Sequence, residues 1–229
     1  MKIIFLNAWR AELEDKIRAY LSSEVLSTDV FCLQEVDGGM RDVAEDILSE
    51  FNISSAEKDI VQNDRLAVSN FFKKEIDLQR SDLIIEGREE LGLGLFSQIK
   101  IGNELINLGN IHGLPRPGPK LDTTERIEQS EQIIGFFETL GGRKIIGGDF
   151  NLLPDQKSIT MFEDNGYIDL IKKYKIETTR NKHAWEKYPE TVLYHSDYLF
   201  VSPDVKVKSF EVPDIEVSDH LPLVLEIED

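Results

Sequence analysis

Residues 144–151 read Lys-Ile-Ile-Gly-Gly-Asp-Phe-Asn, and the fold and chemistry of the chain both turn on this octet. Ile145 and Ile146 favour a buried β-strand, and the two glycines free the backbone to turn at its end. The strand then presents Asp149 and Asn151 at the position where an α/β protein places its chemistry. Taken alone, the octet is equally typical of an ordinary turn after a core strand, so the other strand ends must decide.

The length of 229 residues suits one large α/β domain or two small ones. No Pro/Ser-rich linker or low-complexity stretch divides the chain, so we predict a single domain over residues 1–229. Hydrophobic residues make up 41% of the sequence and charged residues 30%, which is the balance of a globular protein with a sizeable core.

The cysteine and hydropathy patterns bear on the cellular compartment. Cys32 is the only cysteine, which excludes an internal disulfide. The apolar run from Ile3 to Leu6 is too short for a secretory signal, and no apolar run reaches membrane-spanning length. We therefore expect a cytoplasmic protein without an integral membrane segment, and the sequence leaves its oligomeric state open.

The formal net charge of -17 argues against sequence-independent binding of long nucleic acids, which depends on many Lys and Arg contacts to phosphate. Residues 172–187 are an exception, because they hold six Lys or Arg against two Glu. This segment is either a solvated surface or a local basic face for an acidic ligand.

Apolar spacing in the first half indicates an α/β pattern followed by hairpins. Residues 2–7 and 30–33 are predicted to be buried strands, and residues 13–26 and 40–49 the helices that follow them. After residue 51 the pattern is typical of antiparallel hairpins. Short strands are predicted at 66–72, 76–78, 83–85, 93–99 and 104–111.

In the second half, Asp122 with Glu125 three residues later predicts the capped start of a helix. Asp155 predicts the cap of a shorter helix after the octet. Residues 113–119 hold three prolines and two glycines and predict a loop beside His112. Irregular structure is expected over 172–195, and strands over 198–201, 205–210 and 221–227.

One pattern recurs along the chain, in which a polar residue lies directly at the end of a predicted apolar strand. The residues at these ends are Asn7, Glu35, His112, Asp149 with Asn151, Asp197, and Asp219 with His220. If the ends meet at one edge of a sheet, four carboxylates, two carboxamides and two imidazoles share a cleft.

Such a cluster suits a hard, oxygen-preferring cation such as Mg²⁺ or Mn²⁺ better than zinc. It points to phosphoester hydrolysis, which needs an activated water, neutralised phosphate oxygens and help for the leaving oxygen. A histidine held by an aspartate can supply the base. The sequence has no serine-nucleophile motif, Gly-rich phosphate loop, dinucleotide fingerprint or Cys/His zinc spacing that would favour another chemistry.

Six short motifs span essentially the whole chain. They are Leu6-Asn7, Leu33-Gln34-Glu35-Val36, Asn110-Ile111-His112, Gly147-Gly148-Asp149-Phe150-Asn151, Asp197-Tyr198-Leu199-Phe200-Val201-Ser202 and Ser218-Asp219-His220-Leu221-Pro222. In this order they resemble the endonuclease/exonuclease/phosphatase superfamily, which includes abasic-site endonucleases, deoxyribonucleases, sphingomyelinases, phosphatases and tyrosyl-DNA phosphodiesterases. The resemblance implies a four-layered α/β sandwich, in which two mixed β-sheets pack face to face with flanking helices.

The resemblance also implies a metal side of the site. Glu35 would be the main metal ligand, with Asn7 orienting it and Asp219 near the metal from the other side. Mg²⁺ or Mn²⁺ would be the cofactor.

On the catalytic side, the resemblance implies that His220 is the base or polarises the phosphate and that Asp197 holds it. Asp149 would position or activate the attacking water, and Asn151 would bind a phosphate oxygen. His112 would stabilise the transition state or assist the leaving group. The sequence leaves open whether His220 or Asp149 is the base.

The chain departs from the family pattern at one position. Where many small members have Arg-Ile-Asp-Tyr, residues 195–198 read His-Ser-Asp-Tyr, and Arg180 is the candidate replacement for the missing arginine. Further substrate contacts are expected from Trp185 or Trp9, by stacking on a base or sugar, and from Arg116 and Lys120 near His112.

The sequence thus predicts a divalent-metal-dependent phosphoester hydrolase, a phosphodiesterase or nuclease acting on nucleic-acid ends of DNA or RNA or on small phosphodiesters. One alternative is a phosphomonoesterase or a sphingomyelinase-like lipid phosphodiesterase with the same metal site. Another is a non-catalytic binding protein on this scaffold, which the presence of every expected polar residue disfavours.

Overall fold

A computed structural model describes residues 1–60, 64–85, 90–116, 118–187, 189–190 and 192–228. Its strands are β1 (Lys2–Asn7), β2 (Val30–Gln34), β3 (Phe51–Ile60), β4 (Asp64–Lys73), β5 (Asp77–Leu83), β6 (Leu93–Ile101), β7 (Glu104–His112), β8 (Arg143–Asp149), β9 (Ile168–Asp169), β10 (Asp197–Val201), β11 (Val207–Glu211) and β12 (Leu223–Ile227). Its α-helices are α1 (Glu14–Glu24), α2 (Gly39–Ile47), α3 (Thr124–Glu138), α4 (Lys157–Asp164), α5 (Leu170–Lys173) and α6 (Lys182–Lys187).

The strands form two six-stranded sheets. The first has the order β11-β12-β1-β2-β4-β3, and the second has the order β5-β6-β7-β8-β10-β9. One central pair in each sheet is parallel, β1 with β2 and β7 with β8, and the remaining neighbours are antiparallel. Both sheets are therefore mixed, as predicted.

Alternating side chains of β1 show how the layers stack. Ile3 and Phe5 belong to the large core shared with the second sheet, whereas Ile4 and Leu6 pack with α1 and α2 on the outer face. On the other side, α3 and α4 contribute Phe137 and other apolar side chains to the large core beside β8. The predicted four-layered α/β sandwich is confirmed.

A chain of buried polar side chains crosses between the two sheets. Gln34 Nε2 donates to Asn110 Oδ1 (2.6 Å), Asn110 Nδ2 donates to Asn70 Oδ1 (2.8 Å), and Asn70 Nδ2 donates to Ser97 Oγ (3.0 Å). All four residues are buried, and β2 and β4 of the first sheet alternate in this chain with β7 and β6 of the second. The bonds satisfy polar groups that would otherwise be costly in an apolar interior.

The octet does not turn at its glycines, which is a correction to the sequence interpretation. Gly147 and Gly148 lie inside β8, and the strand continues to Asp149. A Cβ at Gly147 would lie 2.4 Å from Leu199 Cδ1, and one at Gly148 would lie 2.2 Å from the Ile111 carbonyl oxygen. Gly148 also has a φ of +124°, so glycine is required here by space and by backbone conformation.

We expect Gly148→Ala to lower the free energy of unfolding by at least about 1–3 kcal/mol, the cost of the backbone conformation alone. Urea unfolding followed by circular dichroism measures this loss. The matched control is Gly135→Ala in the middle of α3, where a Cβ would meet nothing within 4 Å. That substitution should stabilise by up to about 1 kcal/mol, because alanine is the better helix former. Equal effects of the two substitutions would contradict the packing argument.

Several local predictions were wrong. β3 and the short α5 and α6 were not predicted, and β5 runs continuously to Leu83 where two shorter strands were expected. The N-cap of α3 is Thr123, whereas the Asp122 carboxylate accepts hydrogen bonds from the backbone amides of Lys157 and Ser158 at the start of α4. Within the proline-rich loop at 113–119, Pro117 lies outside the described residues.

Candidate active site

The polar strand ends meet at one end of the molecule, but they come from two sheets and not from one sheet edge. Those of the first sheet are Asn7, Glu35, Asp219 and His220, and those of the second are His112, Asp149, Asn151 and Asp197. In the second sheet, Asp149 pairs in register with His112 of β7 on one side and with Asp197 of β10 on the other. The cleft therefore forms where the sandwich brings the two sets together.

Asn7 links two of the carboxylates, one from each sheet. Its Nδ2 donates to Glu35 Oε1 (3.2 Å) and to Asp149 Oδ2 (3.1 Å), and its Oδ1 accepts from the Trp9 amide (3.0 Å). Glu35 follows β2 with a φ of +57°, a conformation that is uncommon for a residue other than glycine or asparagine. Such backbone strain is concentrated at functional sites in proteins.

Asp197 and His220 form a hydrogen-bonded pair on the opposite side of Asp149. Both carboxylate oxygens of Asp197 lie 2.9 Å from His220 Nδ1, and His220 Nε2 lies 3.6 Å from Asp149 Oδ2. Asp197 Oδ2 also accepts hydrogen bonds from Thr179 Oγ1 (2.8 Å) and Ser196 Oγ (2.9 Å). The carboxylate is therefore fixed in position by two hydroxyl groups that sequence reasoning did not identify.

Arg180, the predicted replacement for the missing family arginine, also lies in this cluster. Its guanidinium donates to Asp219 Oδ2 (2.8 Å), to His220 Nε2 (2.7 Å) and to Ser196 Oγ (3.3 Å). Because a guanidinium can only donate, Nε2 of His220 is the acceptor and the ring proton lies on Nδ1, facing Asp197. Asp219, expected near the metal, is thus in an ion pair with Arg180.

The charges around the buried His220 shift its affinity for a proton. Burial and Arg180 each lower the pKa of His220, whereas Asp197, Asp219 and Asp149 raise it and outweigh them. The pKa of His220 is therefore above its ordinary value, which makes Nε2 a stronger base than a free imidazole.

Asp149 experiences the opposite balance. Burial raises the pKa of its carboxyl group, but electrostatic interactions with His220, His112, Lys120 and Arg180 outweigh burial and hold the pKa below its ordinary value. Asp149 is consequently ionised at neutral pH, although its side chain is buried.

Asn151 and His112 complete the second-sheet side of the cleft. Asn151 has a φ of +57°. Its side-chain Nδ2 donates to the Gly113 carbonyl oxygen (3.0 Å), and its Oδ1 accepts from Lys120 Nζ. His112 Nε2 lies 4.0 Å from Glu35 Oε1. Its Nδ1 is buried and has no hydrogen-bond partner among the described residues.

The other predicted substrate contacts lie outside this cluster. Trp185 is on α6, where its Nε1 donates to the Leu193 carbonyl (2.9 Å) and its ring packs against Tyr194. Arg116 is exposed on the loop after β7. His195, at the position of the family arginine, forms a hydrogen bond with the Ile176 carbonyl (3.0 Å).

Two groupings of these side chains could hold a divalent cation. In one, the carboxylates of Glu35 and Asp149 converge on the Asn7 amide, which is the kind of oxygen-rich donor set that Mg²⁺ and Mn²⁺ prefer. In the other, one ligand atom from each of Asp149, Asp197 and His220 lies within 4.8 Å of the others. The residues present therefore fit a metal ion.

A four-layered sandwich whose sheet ends gather carboxylates, amides and a His–Asp pair defines a hydrolase that acts on phosphoester bonds. The sequence model of the Endonuclease/Exonuclease/phosphatase family matches residues 5–220. The chain belongs to this family. No curated protein sequence matches the chain at a significant level.

Solved structures of family members share the fold at low sequence identity. An endonuclease/exonuclease/phosphatase from Bacteroides vulgatus has a TM-score of 0.79 at 17% identity, covering 99% of this chain and 98% of its own. The mannosyl-6-phosphatase Bt3783 of Bacteroides thetaiotaomicron has a TM-score of 0.76 at 16% identity and full coverage of both chains, 100% and 100%. A humanized TDP2 from D. rerio has a TM-score of 0.74 at 16% identity, covering 100% and 99%.

None of the helices in the described ranges combines the length and the hydropathy that crossing a bilayer requires.

Proposed function

We propose that the chain is a Mg²⁺- or Mn²⁺-dependent phosphodiesterase acting on nucleic-acid ends or small phosphodiesters. The observation that carries this proposal is the position of Asp149. Its Oδ2 lies 3.1 Å from Asn7 Nδ2, next to Glu35, and 3.6 Å from Nε2 of His220. A single carboxylate thus lies between an oxygen-rich cation site and a histidine base.

Glu35 would hold the cation, with Asn7 orienting the carboxylate and Asp219 nearby. We favour this grouping over the one containing Asp197, because both Asp197 oxygens are already hydrogen-bonded to His220. When bound, the cation would neutralise charge on the phosphate oxygens.

The remaining residues divide the other tasks of the reaction. Asp149 orients the attacking water. When Arg180 exchanges its hydrogen bond to Nε2 of His220 for one to the phosphate, Nε2 accepts the proton of the water, because Asp197 holds the ring and strengthens it as a base. Asn151 and Arg180 bind phosphate oxygens, and His112, whose Nε2 lies 4.0 Å from Glu35 Oε1, assists the departing oxygen.

Two pairs of rings in the chain support a substrate with a nucleobase. Trp9 directly follows the Asn7 segment, and its ring lies 4.8 Å from Lys187 Nζ and 6.5 Å from the His183 ring. Trp185 and Tyr194 form a second aromatic pair, with ring centroids 5.5 Å apart. Aromatic faces beside cations stack on bases, whereas a small ester needs neither.

Turnover of bis(p-nitrophenyl) phosphate tests the proposal. We expect hydrolysis in Mg²⁺ or Mn²⁺, its loss in EDTA, and recovery when either ion is restored, since the carboxylate cluster alone cannot neutralise a phosphate. The same preparation should be tested on oligonucleotides, phosphomonoesters and phospholipids to identify the substrate class. No turnover of any of these substrates with either metal would contradict the proposal.

We expect Trp185→Ala to raise the KM for an oligonucleotide by about 5- to 100-fold, the loss of one stacked base. The KM for bis(p-nitrophenyl) phosphate should stay unchanged. Trp185→Phe is the matched control, because it keeps an aromatic face but removes the Nε1 donor to Leu193. Equal rises in KM on both substrates would assign Trp185 a structural role and not a stacking role.

A further inference from the structure

Lys120 brings a positive charge into the cleft from the loop between β7 and α3. Its Nζ donates to Asn151 Oδ1 and to the Pro115 carbonyl oxygen (2.8 Å). Asn151 is in turn bonded through its backbone amide to Asp149 Oδ1 (2.9 Å). The ammonium group is therefore one side chain away from the carboxylate at the centre of the site.

Lys120 differs from the other cations of the site in its partners. Arg180 is paired with Asp219 at 2.8 Å, and Arg10 is paired with Asp37 at 3.1 Å. Lys120 instead donates to two neutral oxygens. Among the described residues, no carboxylate oxygen lies within 4.0 Å of its Nζ, the distance that defines an ion pair. A partly buried charge without a counter-charge is unfavourable, and an anionic ligand would complete it.

The position of Lys120 is fixed by α3. Arg126 is fully buried and donates to the carbonyl oxygens of Pro119 (3.0 Å) and Leu121 (2.6 Å), which flank Lys120. Gln129 Oε1 accepts from the Leu114 amide (3.1 Å) at the start of the same loop. The loop therefore holds the ammonium group in place before any ligand binds, which lowers the entropy cost of binding.

We propose that Lys120 contacts the substrate, and that its ammonium group binds a non-bridging oxygen of the phosphate beside Asn151. The assignment rests on the proposed phosphoester hydrolysis. In that reaction negative charge is spread over the non-bridging oxygens in the transition state, so a fixed cation beside them stabilises it. An ammonium group can replace its bond to the neutral Asn151 oxygen by a stronger charge-assisted bond to phosphate.

The ionisation of Lys120 is consistent with this role. Burial lowers the pKa of Lys120 to about 8, even though Asp149 and Glu35 favour the charged form against Arg126 and Arg180. The group is mostly charged at neutral pH, and a bound phosphate would hold the proton more firmly.

Binding of inorganic phosphate, measured by isothermal titration calorimetry in Mg²⁺ and again in EDTA, tests the assignment without turnover. Lys120→Met removes the charge and keeps the length of the side chain, and it should weaken phosphate binding by about 10- to 100-fold. Lys120→Arg should recover part of the affinity. Lys208→Met is the charge control, because Lys208 pairs with Glu226 on β12, outside the cleft, and its removal should leave affinity unchanged.

The thermal midpoint of each variant establishes that it is folded, and Lys120→Gln replaces Lys120→Met if the latter is not. Phosphate binding by the neutral variant that equals that of wild type, or no phosphate binding by wild type, overturns the assignment. A wild-type protein that binds phosphate through Lys120 but hydrolyses no ester would instead refute the proposed function alone.

Discussion

Asp149→Ala should reduce kcat/KM for a phosphodiester by about 10²- to 10⁴-fold, because the general base then lacks a water held in position for proton transfer. The effect is large because Asp149 lies next to three other residues of the site. Its carboxylate contacts Asn7, receives the Asn151 amide and lies 3.6 Å from His220 Nε2. Steady-state kinetics in saturating Mg²⁺ measures the loss.

Asp149→Asn is the matched variant, because it preserves shape and removes only the charge. We expect a loss of similar size, since a neutral amide lacks the charge that orients the water and attracts the surrounding cations. Because the pKa of Asp149 is lowered in the folded state, the stability that its charge provides is present above its ordinary pKa and is lost as the pH falls through the lowered value. Unfolding curves should therefore be recorded at neutral pH, and nearly full activity in a folded Asp149→Asn protein would remove Asp149 from the mechanism.

His220→Ala should lower kcat/KM by about 10²- to 10⁴-fold, because it removes the proposed general base. Asp197→Asn should also reduce the rate, and it should change the pH dependence. His220 accepts a proton only when it is neutral, so activity rises with pH through its pKa. Asp197 raises that pKa, and its loss should therefore move the acidic limb of the profile to lower pH while the maximum rate falls.

The control for this pair is His195→Gln, which removes an imidazole that is bonded to the Ile176 carbonyl and not to the cluster. It should leave both kcat/KM and the pH profile unchanged. An acidic limb that stays in place in Asp197→Asn would show that another group, with Asp149 the first candidate, sets it.

The strand ends were predictable because the sequence changes sharply from apolar to polar residues at each of them. Asn7, Glu35 and Asp149 could be named in advance for this reason, and the order of the motifs gave the family and its fold. The convergence of two separate sheets was not predictable from residue spacing, because it depends on contacts between residues far apart in the chain. Asn7 and Asp149, for example, are 142 positions apart.

Other features lacked a local signal. β3 was missed because it is an edge strand whose sequence from Asn52 to Asp59 is mostly polar, so that its half-buried face carries no apolar alternation. Thr179 and Ser196 are small hydroxyl residues whose role appears only from their bonds to Asp197. The Asp122 cap was assigned to the wrong helix because a carboxylate can bond to amides that are distant in sequence.

The polar chain that joins Gln34, Asn110, Asn70 and Ser97 across the sheets constrains how this sequence can evolve. Replacing one member by an apolar residue leaves its neighbour without a hydrogen-bond partner and lowers the free energy of unfolding by about 1–3 kcal/mol. Replacing both partners of a bond can be nearly neutral. A single substitution in this set is therefore disfavoured, whereas a simultaneous substitution of both partners is tolerated. Homologues should retain the set as a unit or have lost it as a unit, with few intermediates surviving.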